Sequence, residues 1–232
     1  LHSKAPFDAR PTDDMTQTDD SSLASRAVAP GRFITFEGID GAGKSSVIAW
    51  FAERLRAHGL DAVSTREPGG VPFAEALRQM MLHDAMRPET ETLLAFAARA
   101  EHLAQKIEPA LAAGRWVLCD RFTDSTFAYQ GAGRGVDWAT LESLERFVHP
   151  QRQPDRTYLF DLPPEEAARR RAAVRAADRF EAQDVAFFQR VRDGYMRRRQ
   201  AAPDRIRLID AGADPEAVRR QLADDLRSLG IR

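Results

Sequence analysis

The chain has 232 residues, with 43% hydrophobic and 30% charged side chains and a formal net charge of −1, enough for one large domain or two small ones whose core needs no staples. The balanced charge gives no non-specific pull toward nucleic acid, and no stretch approaches the roughly 18 apolar residues of a membrane span. The single cysteine, Cys119, excludes an internal disulfide framework and a cysteine-based zinc site; in its apolar run it reads as a buried, inert thiol. The first residues carry no apolar signal-peptide core, so a cytoplasmic enzyme with no nucleic-acid or membrane partner is expected.

Residues 1–30 are rich in Asp, Ser, Thr, Ala and Pro and lack an apolar period. They read as a disordered tail, with Met15 a candidate natural start. Residues 31–232 read as one domain. RFITFE (32–37) is a short β-rich run ending at a glycine loop, and VIAWFAERLRAHG (47–59) has helical apolar spacing that stops at Gly59. Further β-like runs are DAVST (61–65), RWVLCD (115–120), RTYLFD (156–161) and RIRLID (205–210). Helical patterns fill roughly 72–82, 89–112, 138–148, 164–175, 184–200 and 214–228. Five strands alternating with helices predict an α/β fold, a parallel five-stranded sheet with helices on both faces. The crevice then lies at the carboxyl ends of the strands, beyond residues 36, 65, 119 and 161.

GIDGAGKS, from Gly38 to Ser45, matches the phosphate-binding pattern G-x-x-x-x-G-K-[ST] in full. A strand precedes it and a helix follows, as a P-loop NTPase requires. Its glycines let backbone N–H groups turn toward phosphate oxygens, Lys44 reaches the β and γ phosphates, and the Ser45 hydroxyl can ligate Mg²⁺. The chain has 31 arginines and only three lysines, so a lysine inside this loop stands out. The ATP-binding set is Gly38, Ile39, Asp40, Gly41, Ala42, Gly43, Lys44, Ser45 and Ser46. A guanine-reading Asn-Lys-x-Asp string is impossible, because the chain contains no asparagine. Asp120 ends an apolar run as an Mg²⁺-side acid would, but Arg121 follows it and suggests a second anion to hold. Arg66, Arg78, Arg99 and Arg121 are four cations that such a fold can bring near one crevice, each with the planar fork that suits a phosphate monoester.

The strings TREPGG (65–70), LLAFAARAEHL (93–103) and CDRFTDSTFAYQGAGRG (119–135), with the glycine loop and the arginine-rich stretch 169–179, resemble thymidylate kinases over about residues 32–212. The resemblance implies an enzyme that transfers the γ-phosphoryl group of Mg·ATP to dTMP, on a nucleoside monophosphate kinase domain with a short lid at about 165–181. It implies that Phe96 stacks on the thymine ring and Arg99 hydrogen-bonds a thymine carbonyl. Arg78 and Arg121 would hold the dTMP phosphate. Ser125, Thr126 and Gln130 would line the base pocket, and Tyr129 would fill the place of a ribose 2′-hydroxyl. Asp40 would face the acceptor sugar and phosphate, Glu67 and Pro68 would form another wall, and Asp120 would act on Mg²⁺ through water.

Some thymidylate kinases carry an arginine where this chain has Gly41; those without it resemble each other in carrying a catalytic arginine in the lid. Here ARRRAAVRAADRFE (168–181) offers Arg169, Arg170, Arg171, Arg175 and Arg179. Consecutive arginines on a helix cannot all face one ligand, whereas Arg171 and Arg175, four apart, share a face. Arg175 is the first choice for the transferring cation and Arg171 the second, beside Lys44 and Arg121. The lid is expected to close before chemistry. Family members are commonly homodimers; the stripes Phe73, Leu77, Met80, Met81 and Leu93, Phe96, Leu103, Ile107 could serve a dimer face, with core the default. The alternatives are a kinase for another nucleotide and an ATP-switched binding protein on the same fold.

Overall fold

A computed structural model describes residues 31–172, 180 and 183–231. The tail read over 1–30 lies outside the described residues, as do Arg175, Arg179 and the side chain of Arg171.

Five parallel strands form one sheet in the order β2-β3-β1-β4-β5: β1 (Phe33–Glu37), β2 (Ala62–Arg66), β3 (Trp116–Asp120), β4 (Arg156–Asp161) and β5 (Ile206–Asp210). The expected strands fall within a residue of these bounds. The three central strands are buried almost end to end, while β2 and β5 at the edges are partly exposed, as a sheet covered on both faces dictates. Alternation along β1 sends Ile34 and Phe36 to one layer and Phe33 to the other.

The first layer packs against α1 (Lys44–Ala57) and α9 (Pro215–Ser228) through Phe51, Leu55, Leu222 and Leu226. The second packs Phe33, Val117 and Cys119 against Leu103, Ile107 and Leu111. Those last residues belong to a continuous helical run: α3 (Pro88–His102), a wider π-type turn (Leu103–Ile107) and α4 (Glu108–Ala112). The sequence reads this run as one helix over 89–112. Pro109 has no N–H to donate and would crowd the carbonyl four residues before it, and the wider turn accommodates the ring without ending the helix.

The register pairs Ile34 with Leu118, Thr35 with Cys119 and Phe36 with Asp120. The carboxyl ends of β1 and β3 therefore stop level, side by side. The chain leaves β1 toward β2 and leaves β3 toward β4, in opposite directions along the sheet, so the loops part and open a crevice. After β3 come a short helix α5 (Thr123–Thr126) and a π-type stretch (Phe127–Gly133), to which the sequence reading assigned no element. The remaining helices are α2 (Pro72–His83), α6 (Trp138–Val148), α7 (Pro164–Ala172) and α8 (Val185–Ala201), of which α2 reaches the crevice through Arg78, Met81 and Leu82. Proline opens α2 and α3, and the carboxylates of Asp137, Asp184 and Asp214 cap α6, α8 and α9.

Candidate active site

The glycine loop leaves β1 through Gly38 at φ 128°, where a Cβ would sit 2.4 Å from the Phe160 carbonyl oxygen. Gly43, at φ 84°, hands the chain directly to α1. Only glycine reaches such angles cheaply. The first residue of α1 is Lys44, buried, with Nζ donating to the carbonyls of Gly38 at 3.0 Å and Ile39 at 3.2 Å. Burial lowers the pKa of its ammonium, and the Arg121 charge adds to that. A lysine folded over its own loop, at the N-terminus of a 14-residue helix, is a cation poised for phosphate oxygens.

Arg121 follows β3 with φ 71°, the one non-glycine residue in the left-handed region among the described residues. Such a conformation costs on the order of 1 kcal/mol or more and persists where the surroundings over-determine it. Here they do. Its N–H donates to the Phe36 carbonyl at 3.0 Å. Its Nη1 donates to the Gly38 carbonyl (2.9 Å), the Tyr195 hydroxyl (2.9 Å) and Ser125 Oγ (3.2 Å). Its Nη2 donates to Asp40 Oδ1 (2.8 Å) and the Tyr129 hydroxyl (3.2 Å), over whose ring the guanidinium lies at 5.0 Å. Desolvation in the cleft pushes the Asp40 carboxyl up, but the charges of Arg121 and Lys44 outweigh it and hold the group well below the usual carboxylate range.

Beside this arginine opens a cleft. The loops and helices bring the expected acceptor residues to it from distant parts of the chain: Asp40 from the glycine loop, Glu67 and Pro68 after β2, Arg78 from α2, Arg99 from α3. Arg121, Ser125 and Thr126 come from just after β3, and Tyr129 and Gln130 from the π-type stretch. Arg78 Nη1 donates to the Pro68 carbonyl at 3.0 Å. Arg99 is buried, its Nε donating to Glu67 Oε2 at 2.8 Å and its Nη2 to Thr126 Oγ1 at 3.0 Å. Gln130 Nε2 donates to the buried Glu91 at 2.7 Å.

Phe96 is not on the cleft. It is buried with Phe127 and Leu141, and the Arg99 guanidinium lies over its ring at 4.9 Å. The wall position belongs to Ala95. The reason is helical phase: Ala95 is four residues before Arg99 and shares its face, whereas Phe96 is rotated toward α6 and the π-type stretch. The aromatic surfaces that do line the cleft are Phe122, Tyr129 and Phe180. Arg66 also lies elsewhere: it pairs with Glu75 at 2.9 Å and faces a neighbouring groove with Lys106.

That second groove holds both expected metal residues, Ser45 and Asp120. Asp120 Oδ1 is buried with no hydrogen-bond partner among the described residues. Among those residues no group of three His, Cys, Asp or Glu could hold a metal by itself. An ion here would draw on one hydroxyl and one carboxylate together with phosphate and water, which is how magnesium is commonly held. In α7, Arg169 and Arg170 pair with Glu166 at 3.0 and 2.9 Å, and Arg170 also donates to the Ala211 carbonyl; these two arginines are engaged locally.

The chain matches the family model described as thymidylate kinase over residues 36–222. It is 55% identical to the thymidylate kinase of Methylobacillus flagellatus over 197 residues, 85% of this chain and 97% of that one. It is 56% identical to that of Cupriavidus metallidurans over 199 residues, 86% and 99% of the two chains. The chain belongs to the thymidylate kinase family. The fold agrees with the crystal structure of thymidylate kinase from Ehrlichia chaffeensis at a TM-score of 0.65 and 36% identity, covering 78% of this chain and 93% of that one. No helix among the described residues is long and apolar enough to cross a membrane.

Four polar residues of this thymidylate kinase family member escaped the sequence reading. Glu37 ends β1 fully buried and accepts from the Phe122 N–H (2.7 Å), Ser125 Oγ (2.5 Å) and the Tyr195 hydroxyl (3.1 Å). Burial, with the Asp124 charge behind it, pushes its carboxyl up to about 7. Tyr195, buried in α8, joins Glu37 to Arg121. Glu91 holds Gln130, and His102 holds Glu67. Tyr195 falls on the apolar period Phe188, Val191, Tyr195 and reads as core; a glutamate ending a β-rich run was the one visible signal for Glu37.

Proposed function

We propose that the protein transfers the γ-phosphoryl group of ATP to dTMP, giving dTDP and ADP. The observation that carries this reading is the placement of Arg121. One guanidinium touches both the glycine loop, through Gly38 and Asp40, and the wall of the adjoining cleft, through Ser125 and Tyr129. Donor and acceptor sites then meet at a fixed cation. Phosphoryl transfer needs positioning and charge neutralisation more than covalent chemistry.

In this reading the loop Gly38–Ser46 and Lys44 cradle the ATP phosphates. Arg78 and Arg121 hold the acceptor phosphate, with Asp40 orienting Arg121. Arg99, Thr126, Ser125 and Gln130 read the base, between the wall at Ala95 and the rings that line the cleft. Tyr129, locked by Asp40 and Arg121, occupies the space a ribose 2′-hydroxyl would need. Arg175, or Arg171 in second place, brings the missing positive charge when the lid expected at about 165–181 closes, since Gly41 supplies none. Ser45 and Asp120 would hold Mg²⁺, and the orphaned Asp120 oxygen fits a water of that ion. Magnesium, when bound, neutralises charge on the phosphate oxygens. No general base is needed, because the acceptor phosphate is already an anion.

A cytoplasmic location, where charged nucleotides are made and used, belongs to the same reading, as does pairing of two copies through α2 and α3. There Phe73, Met80 and Leu93 are half exposed, while Leu77, Met81, Phe96, Leu103 and Ile107 are core.

The test is ADP release from Mg·ATP with dTMP, dUMP, dCMP, dGMP, the ribose analogue of dTMP, or no acceptor. A preference for dTMP with little turnover in its absence is expected. Turnover indifferent to the acceptor would overturn the reading in favour of an ATPase or switch.

A further inference from the structure

Behind Arg99 lies a chain of buried polar groups that no step above uses. His102, three residues after Arg99 on α3, is fully buried. Its Nδ1 lies 2.9 Å from Glu67 Oε1, and its Nε2 lies 2.7 Å from Thr65 Oγ1 at the end of β2. The other Glu67 oxygen accepts from Arg99 Nε at 2.8 Å. Burial alone would raise the Glu67 carboxyl, but Arg99 and His102 outweigh it and keep it low, so Glu67 is a carboxylate that can only accept. His102 Nδ1 therefore carries a proton and donates, and the tautomer is set from the Glu67 side. Gly70 makes the room: a Cβ there would fall 2.4 Å from His102 Nε2 and 2.5 Å from Thr65 Oγ1.

The far end of this chain is held as firmly. The Arg99 guanidinium lies over the Phe96 and Phe122 rings at 4.9 and 5.1 Å, and Nη2 is fixed on Thr126. Its remaining nitrogen, Nη1, is buried with no hydrogen-bond partner among the described residues, in a side chain that lines the acceptor cleft. A buried donor without a partner is costly, and an arginine cannot lose its proton to become an acceptor.

We propose that His102 is a specificity-determining positioning residue: with Thr65 it fixes Glu67, and Glu67 fixes Arg99 so that its free N–H meets only a base edge presenting a hydrogen-bond acceptor. A base carrying an amino group at that edge would face donor against donor and leave both unpaired, the kind of mismatch that polar sites reject strongly. If His102 lets go, Glu67 can turn, Arg99 gains freedom to retreat toward Glu67, and the penalty against the amino-bearing base shrinks. This inference rests on the reading that the cleft binds the base of dTMP.

The experiment compares kcat and KM for dTMP and dCMP, at saturating Mg·ATP, in wild type, His102→Leu, His102→Gln and Thr65→Val, with thermal unfolding of each. His102→Leu is expected to raise KM for dTMP roughly tenfold, the effect of losing about one buried hydrogen bond, with a smaller change in kcat. The preference for dTMP over dCMP, taken as the ratio of kcat/KM values, is expected to fall by about the same factor. His102→Gln, which can still donate to Glu67, should recover most of the preference. Thr65→Val removes one hydroxyl at nearly constant volume; should His102→Leu fail to fold, Thr65→Val still has to lower the preference. A variant that loses stability or activity equally toward both nucleotides, with the ratio unchanged, would overturn the proposal and leave His102 a packing residue. Wild type without a preference for dTMP would instead sink the acceptor reading, and the proposal with it.

Discussion

Arg121 is the residue on which the site turns, and three hydroxyls, the Asp40 carboxylate and the Gly38 carbonyl hold its guanidinium. Tyr195 and Ser125 both donate to Glu37 and both accept from Arg121. Tyr195→Phe deletes one of these bridges and keeps the ring. We expect kcat/KM for the acceptor to fall roughly tenfold, since a hydrogen bond to a charged group is worth about 1.5–3 kcal/mol and part of it is recovered by Ser125. Steady-state kinetics at saturating ATP checks this, and an unchanged kcat/KM would assign Arg121's position to Asp40, Ser125, Tyr129 and the backbone without Tyr195. Glu37 also gives a pH signature. Its folded pKa is about 7, above the usual range near 4.3. The unfolded chain therefore loses this proton first as pH rises, and stability falls between about pH 4.5 and 7, then levels off. The full span is on the order of 3 kcal/mol. Glu37→Gln should flatten that slope, read as urea midpoints at pH 5 and 7.5; parallel slopes in the two proteins would rule out Glu37 as the source.

At the scale of elements, the strands were legible because a strand buried on both faces is a short apolar run, and five of them stand between helical periods. The stretch Thr123–Gly133 was not. It carries no apolar period of its own, and its helical form depends on α8 lying against it. Gly194 permits that approach: a Cβ there would fall 2.7 Å from the Ala132 Cβ and 2.9 Å from the Ala128 Cα. Gly194→Ala should destabilise the protein by about 1–3 kcal/mol through overpacking, despite the better helix propensity of alanine. Chemical denaturation measures this, and a stabilised variant would show that the two segments yield freely. Position alone, one residue past a strand end, singles out Arg121; Ser125, Thr126, Tyr129 and Gln130 were readable only through the resemblance that the string after β3 carries. Phe96 was placed on the cleft by the resemblance, and it lies in the core because neighbouring positions of a buried helix differ by about 100° of rotation. His102, Glu91 and Glu37 were missed because each acts through another side chain and touches no expected ligand.

For the whole molecule, the order β2-β3-β1-β4-β5 sets the glycine loop and the Arg121 turn level at one end of the sheet. What it leaves open is the positive charge on the far side of the ATP phosphates. Gly41 has no side chain to give it, and Arg169 and Arg170 are tied to Glu166 and the Ala211 carbonyl. In the proposed reading Arg175 supplies that charge. Arg175→Ala is expected to lower kcat by about 10³-fold or more, the usual worth of an arginine finger, with KM for dTMP little changed. A variant that keeps its kcat would move the role to Arg171.

In the proposed reaction a phosphoryl group passes between two nucleotides held at Arg121. The most direct measurement follows a mixture of Mg·ATP, dTMP and the protein by phosphorus NMR. The γ-phosphorus of ATP is expected to reappear as the β-phosphorus of dTDP, in step with ADP, with little inorganic phosphate. Release of inorganic phosphate with dTMP left intact would contradict it.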